Sequence, residues 1–195
     1  MIFRIPYALI LIFSMVHCVT SSETASPASE ISGNSLRLQY AQELETKVLK
    51  VGPAQEISIG QFALQSFSNT SSRFFSVSSL SPLKSNEPLE PGAIVLRKVQ
   101  VDRSLEFEEG TTKFHHATFA SIVEFLVVSP SGEPQRILGH SEQITSRTIP
   151  FSVEDTESKD KIANSIQSAV EEGLQQIVSL KDFPSTFKSQ NMFQR

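Results

Sequence analysis

The sequence is poor in the residues that cross-link a small domain or give it a strongly charged surface. It contains one cysteine, Cys18, and no tryptophan. Because Cys18 stands within the first 20 residues, the rest of the chain can form no internal disulfide, which favours a bacterial envelope protein over a eukaryotic secreted domain. The net charge is -4 and no basic cluster is present, so we expect no nucleic-acid partner.

No apolar run is long enough to cross a membrane. The longest, Ile5–Val16, has about a dozen residues, whereas a spanning helix needs roughly 20. Arg4 precedes this run and polar residues follow it. A short apolar run behind a positive charge is typical of a signal peptide. We therefore predict that residues 1–20 are an export signal and that the mature part works outside the cytoplasm.

Cys18, at the end of the apolar run, has two interpretations. A lone cysteine in this place is typical of a bacterial lipoprotein signal, in which the thiol carries a diacylglycerol that anchors the protein to a bilayer. Met15 and His17 depart from that pattern, which has Leu three residues before the cysteine and a small residue directly before it. The alternative is an ordinary leader that is cut near Thr20–Ser22, where the residues are small.

The remainder has the composition of one folded domain. Of the 195 residues, 39% are apolar, and the 14 phenylalanines must supply most of the bulky core volume. Residues 21–34 are mostly small and polar and are predicted to be a flexible tether. We assign residues 35–183 to a single domain with a long loop at 68–92, and residues 184–195 to a C-terminal tail.

The first half of this domain is predicted to hold a helix, a strand and a loop. An apolar residue at every fourth position predicts an amphipathic helix over Leu36–Lys50, ended by Gly52-Pro53. The stripe consists of Leu36, Tyr40, Leu44 and Val48. Alternating apolar residues predict a strand over Glu56–Phe67. Ser68–Pro91 has little pattern and many serines, and is predicted to be a long excursion with a short strand over Arg73–Val77.

The second half is predicted to be a three-stranded antiparallel meander followed by a long helix. The strands are Ala93–Glu108, Phe114–Val128 and Arg136–Ile149, and the helix is Asp160–Leu180, with one apolar face. The predicted fold class is therefore α+β, an antiparallel sheet of about four strands with two amphipathic helices packed on one face.

Two stretches of the chain carry a family resemblance. One runs from Ser35 through Gly52-Pro53 to Ile57 and Phe62. The other runs from Phe119 through Pro130-Ser131-Gly132, then from Asp160 to Val178 and Asp182-Phe183. They resemble small bacterial outer-membrane lipoproteins, particularly the YajG-like lipoprotein family, and more distantly the lipopolysaccharide-assembly lipoprotein and the auxiliary lipoproteins of lipid transporters. The resemblance implies a lipid-anchored or periplasmic accessory protein at the outer membrane.

Three histidines are the first candidates for chemistry. His115 and His116 are adjacent, and His140 could join them at a zinc site, which needs three or four converging ligands. Because adjacent residues of a strand point to opposite faces, we expect that the pair cannot chelate one ion together. We therefore predict no metal site and no cofactor.

Two further patterns are interpreted as structural. Gly139–Gln143 superficially resembles the nucleophile elbow of serine hydrolases, with Ser141 at its centre, but its fifth residue is glutamine and the segment is predicted to be a strand. Acidic groups at Glu106–Glu109 and Glu154–Asp160 lack the alternation of a calcium loop. We interpret them as a solvated turn and a helix N-terminus, and predict no catalytic residue.

Three kinds of function follow from these observations. Our prediction is a non-enzymatic, exported cell-envelope protein, lipid-anchored through Cys18 or periplasmic, that binds an envelope protein or a lipid. The alternative is a soluble secreted interaction protein whose contact surface is Ser68–Pro91. The third kind, an enzyme, would need a cleft with converging titratable groups.

Overall fold

In the computed structural model of this chain, a mixed sheet of six strands and two α-helices hold most of the residues that the structure describes. The structure describes residues 36–51, 55–75, 79–84, 87–129, 133–152, 155 and 157–181, which all fall within one unit, Asn34–Arg195. The predicted export signal with Cys18, the tether and the C-terminal tail lie outside the described residues. So do Gly52-Pro53 and Pro130-Ser131-Gly132.

Eight strands, two α-helices and one 3-10 helix follow one another in the described part of the chain. In order they are β1 (Arg37–Ala41), the 3-10 helix (Gln42–Thr46), β2 (Leu49–Lys50), β3 (Glu56–Ile57), α1 (Ile59–Phe74), β4 (Leu80–Leu83), β5 (Ala93–Phe107), β6 (Phe114–Val128), β7 (Pro134–His140), β8 (Ile144–Ser146) and α2 (Ser158–Ser179). The large sheet has the order β4-β1-β5-β6-β7, with β8 also paired to β6. β2 and β3 form a separate antiparallel pair.

The mixed α+β class with two helices is confirmed, but the prediction of about four antiparallel strands is wrong. β1 lies between β4 and β5 and runs parallel to both. The pairs β5–β6, β6–β7 and β6–β8 are antiparallel, as the predicted meander requires. The additional strands, β1 and β4, come from segments that the sequence pattern assigned to a helix and a loop.

The helix predicted over Leu36–Lys50 is wrong, because its apolar stripe also fits a strand. Leu36 and Leu38 are buried at alternate positions, and the chain between them is extended. Leu44 is buried from the 3-10 helix that follows β1. Residues spaced by four share a parity, so this stripe satisfies both periods.

The strand predicted over Glu56–Phe67 is also wrong. Here a pattern that fits both periods was assigned to a strand, and most of the segment is a helix. Only Glu56 and Ile57 are extended, and α1 begins at Ile59. Its buried residues recur every three or four positions, which is the helical period. They are Ile59, Gly60, Ala63, Phe67, Thr70, Ser71 and Phe74.

Two other predicted segments are divided differently in the structure. The excursion Ser68–Pro91 contains the end of α1 and the strand β4, so its start is helical, and Arg73 and Phe74 belong to α1 rather than to a short strand. The strand predicted over Arg136–Ile149 is two strands, β7 and β8. The chain leaves the ladder at Ser141, where the Ser141 hydroxyl accepts a hydrogen bond from the backbone N–H of Ser121 at 2.8 Å.

Both helices cover one face of the large sheet. Phe125 of β6 marks this face, because its ring lies 5.4 Å from that of Phe67 in α1, and a Cβ added to Gly173 in α2 would lie 2.6 Å from the same ring. The predicted helix Asp160–Leu180 is confirmed as α2, and about 22 residues span roughly 33 Å of the sheet. In the described part of the chain, neither helix combines the length and apolar character that crossing a bilayer demands.

The opposite face of the sheet, here called the open face, carries a small second core at one end. Ala93, Val95 and Val128 are buried there. Leu83 and Leu89 pack against them from β4 and the following loop. Part of the segment predicted to be a contact surface therefore covers the sheet. The described residues of β6 elsewhere on the open face are half-buried.

Candidate interaction surface

Ser141, the centre of the apparent nucleophile elbow, lies in a network of three serines. Its Oγ is 2.7 Å from Oγ of Ser165 in α2, which in turn donates to Oγ of Ser121 in β6 at 2.8 Å. Ser165 has one hydroxyl hydrogen and gives it to Ser121, so Ser141 donates to Ser165. None of these partners is a base, and the network ties α2 to the end of β7 instead of activating a nucleophile.

His140, the neighbour of Ser141, has its side chain on the open face. It lines a shallow depression of about 180 Å³ together with Lys98, Ile122 and Leu138. Its backbone N–H donates to the Glu172 carboxylate of α2. The structure therefore does not bring His140 to Ser141 as a general base.

His115 and His116 are closer than the sequence argument allows. Their ring centroids lie 4.7 Å apart. Phe107 pairs with Phe114 while Glu106 pairs with His116, so β6 has one extra residue at this point and the alternation of faces is interrupted. The expectation of opposite faces is wrong here because of this bulge. Nε2 of His116 lies 3.1 Å from Glu106 Oε2, and within the described residues no group of three or more ligands suits a metal ion.

Carboxylates of both acidic groups, Glu106–Glu109 and Glu154–Asp160, make contacts within the fold. Glu108 in the β5–β6 turn lies 2.9 Å from Nζ of Lys113. Asp155 accepts the backbone N–H of Glu157 at 3.1 Å and of Ser158 at 2.9 Å, at the start of α2. Burial has the largest single effect on this carboxyl and opposes its ionisation, but the hydrogen bonds together outweigh it and lower the pKa of Asp155.

Asp155 also fixes the loop that precedes α2. Its second oxygen accepts the N–H of Phe151, which has a positive φ of 62° that non-glycine residues seldom adopt. The guanidinium of Arg103 lies over the Phe151 ring, 5.6 Å from its centroid. This loop therefore holds the Arg103 side chain at the edge of the helix-covered face.

The long β5–β6 hairpin extends beyond the rest of the sheet. β1 pairs with β5 only from Arg37–Ala93 to Tyr40–Leu96, so no described strand lies on that side of β5 from Lys98 to Phe107. β6 remains paired to β5 along this extension, and to β8 only over Ala117–Phe119. The end of the hairpin therefore projects from the covered sheet.

Apolar side chains are exposed at this projecting end. Leu105 is 41% exposed and Phe107 is 52% exposed, and among the described residues only Ile149 is another large apolar side chain of this kind. The Phe107 ring meets that of Phe114 edge to face at 6.1 Å between centroids. We call Leu105, Phe107 and Phe114 the distal patch. Exposed apolar groups of this kind are found at surfaces that bind other molecules.

A second depression on the open face is lined by charged residues and lacks the exposed apolar side chains of the distal patch. It measures about 390 Å³ and lies between the start of the 3-10 helix and β4. Glu43 and Glu87 line it together with Lys84 and Arg97, so charges of both signs surround an open crevice. We therefore take the projecting hairpin as the candidate surface.

Comparisons with known proteins give a likeness in structure but none in sequence. No protein-family model matches the chain, so the resemblance to the YajG-like family finds no family match. No curated protein matches it either. A solved structure of the rare lipoprotein B from Shewanella oneidensis is similar at 13% identity and a TM-score of 0.47, over 74% of this chain and 95% of that one.

Proposed function

We propose that this chain is an exported cell-envelope protein that works by binding another protein, and that the distal patch is part of its binding surface. The exposure of Leu105 and Phe107 is the observation that carries the proposal. Each leaves about half of a large apolar side chain in water, and burying that half in a complex would contribute about 1 kcal/mol per residue. The hairpin that holds them is paired from Ile94–Val127 to Phe107–Phe114, with two register shifts.

The leader would determine how the protein is held in the envelope. The apolar run that ends at Cys18 supports export, and Cys18 itself supports a lipid anchor. Labelled palmitate should be incorporated into the wild-type chain and not into Cys18→Ser. A mature N-terminus within Thr20–Ser22, without label, would instead establish a cleaved leader and remove the anchor from the proposal.

Binding through the distal patch can be tested by the size of the native particle. In gently solubilised envelopes, the wild-type chain should elute in size-exclusion chromatography with a partner, well above its own 21.6 kDa. The double variant Leu105→Ser with Phe107→Ser should elute as the free chain, while Gln167→Ser, on the exposed side of α2, should behave as wild type. If the double variant stays in the large particle, the patch is not the binding surface.

A further inference from the structure

The unpaired edge of β5 is the longest open strand edge in the described part of the chain. It runs from Lys98 to Phe107 and contains no proline. β4 at the end of the sheet has four residues and includes Pro82, which lacks the N–H that a ladder needs. On β7, the backbone N–H of His140 is already bonded to Glu172. The edge of β5 is thus the one best able to accept another strand.

The side chains along this edge define what such a strand would contain. Val99, Val101, Arg103 and Leu105 share the helix-covered face, since they pair with residues of β6 on that face. Arg103 is the only charged residue in this row. The structure gives it a ring contact with Phe151 but no carboxylate partner among the described residues. A complementary strand would need apolar residues on both sides of one acidic residue.

A second copy of this chain would meet like charges on this edge in the two registers centred on Arg103 and Asp102. In an antiparallel self-pairing that faces Val101 with Leu105, Arg103 would stand opposite its own equivalent. Shifting the register by one residue on each strand puts Asp102 opposite Asp102 instead. Like charges directly opposite each other destabilise a pair of strands, so both registers place a repulsion at the two-fold axis.

We propose that the edge of β5 binds an extended strand of a partner protein, with an acidic residue opposite Arg103 and apolar residues opposite Val101 and Leu105. This inference rests on the proposed function and specifies how the partner is held. Main-chain hydrogen bonds would supply affinity and the alternate side chains would supply selectivity, as in other cases of strand addition. The stacking of Arg103 on Phe151 keeps its guanidinium in place before the partner arrives.

The probe is a labelled nine-residue peptide that alternates valine with threonine or lysine and has one central glutamate. Laid antiparallel over Val99–Phe107, it places that glutamate opposite Arg103. The matched control has lysine at the centre. Fluorescence anisotropy with the full chain should give about fivefold tighter binding for the glutamate peptide. The preference should reverse in Arg103→Glu, and both peptides should weaken in Leu105→Lys, whose side chain is exposed.

Hydrogen exchange measured by mass spectrometry identifies the mode of binding. The glutamate peptide should slow exchange in Lys98–Phe107 and leave Pro134–His140 unchanged. Absent binding, or equal binding of the two peptides, would overturn strand addition. So would a concentration-dependent dimer of the chain that Leu105→Lys dissociates, since the edge would then belong to a second copy. If the large envelope particle still depends on the distal patch, the proposed function stands while this mode of binding falls.

Discussion

The contact between α2 and β7 is closest at Gly139, and a single added methyl group tests it. A Cβ at Gly139 would lie 2.0 Å from the carbonyl oxygen of Ala169 and 2.7 Å from the backbone nitrogen of Gly173. Ordinary van der Waals contact begins at 3.4 Å, so Gly139→Ala requires the two backbones to separate by about 1.4 Å. No side-chain rotation can relieve this contact, because both obstacles are backbone atoms of one helix.

The cost of Gly139→Ala can be estimated from these distances. Overpacking costs about 1 to 3 kcal/mol, and a backbone obstacle places this site near 3. Alanine has less conformational freedom than glycine in the unfolded chain, which offsets this cost by about 0.5 to 1 kcal/mol. We therefore expect a net loss of about 2 kcal/mol. For a domain of this size, that loss lowers the melting temperature by roughly 4 to 8 °C.

Urea unfolding followed by circular dichroism measures this loss. Gly110→Ala is the matched control, since nothing lies within 4 Å of its added Cβ and only its positive φ of 71° is strained. That strain should cost about 1 kcal/mol. A midpoint for Gly139→Ala equal to that of the wild type, or above that of Gly110→Ala, would refute the close approach of α2 to β7.

Three further predictions concern the serine network, the start of α2 and the distal patch. Ser165→Ala removes the partner on α2 of the Ser121 and Ser141 hydroxyls and should lower the free energy of unfolding in urea by about 1 to 3 kcal/mol, with a change under about 0.5 kcal/mol in the exposed control Ser168→Ala. Because the pKa of Asp155 is lowered in the fold, its stabilising effect is present above the unfolded pKa near 4 and is lost as the pH falls through the folded pKa. Asp155→Asn should therefore be less stable than wild type at pH 7 by about 1 kcal/mol, and unfolding at pH 2.5 should show a smaller difference; an equal difference at both values would contradict the assignment. Phe107→Ser removes the buried half of the ring and its edge-to-face contact with Phe114, and should lower the free energy of unfolding by about 1 to 2 kcal/mol; a loss of about 3 kcal/mol or more would mean that Phe107 belongs to the core.

The second half of the fold could be predicted because its patterns are long and fit one period. In β6, buried residues alternate with partly exposed ones from His116 to Val127, and α2 keeps its apolar face over 22 residues. The elements of the first half were predicted wrongly because their apolar residues are spaced by four. In Leu36–Lys50 and Glu56–Phe67 this spacing satisfies helix and strand together. Residues 37–41 form a strand because they pair with β4 and β5, which are distant in the sequence. The sequence of β1 alone does not contain that information.

Only part of the candidate site could be predicted from the sequence. The apolar parity of β5 was evident, and Arg103 interrupts it at a position that faces the helix-covered side. That interruption is a local signal that the outer half of β5 leaves the core. The exposure of Leu105 and Phe107 depends on where α2 begins and how far β8 reaches, which only the packed fold determines. The proximity of His115 and His116 was missed because a bulge is not visible in an alternating pattern.

Site-specific photo-crosslinking in intact cells tests most directly whether the hairpin end contacts another protein. A photoreactive amino acid at Phe107 should give one defined, higher-mass adduct in the envelope fraction. The same amino acid at Gln167, exposed on α2, should give none. Adduct formation from Gln167 but not from Phe107, or from neither position, would contradict the account.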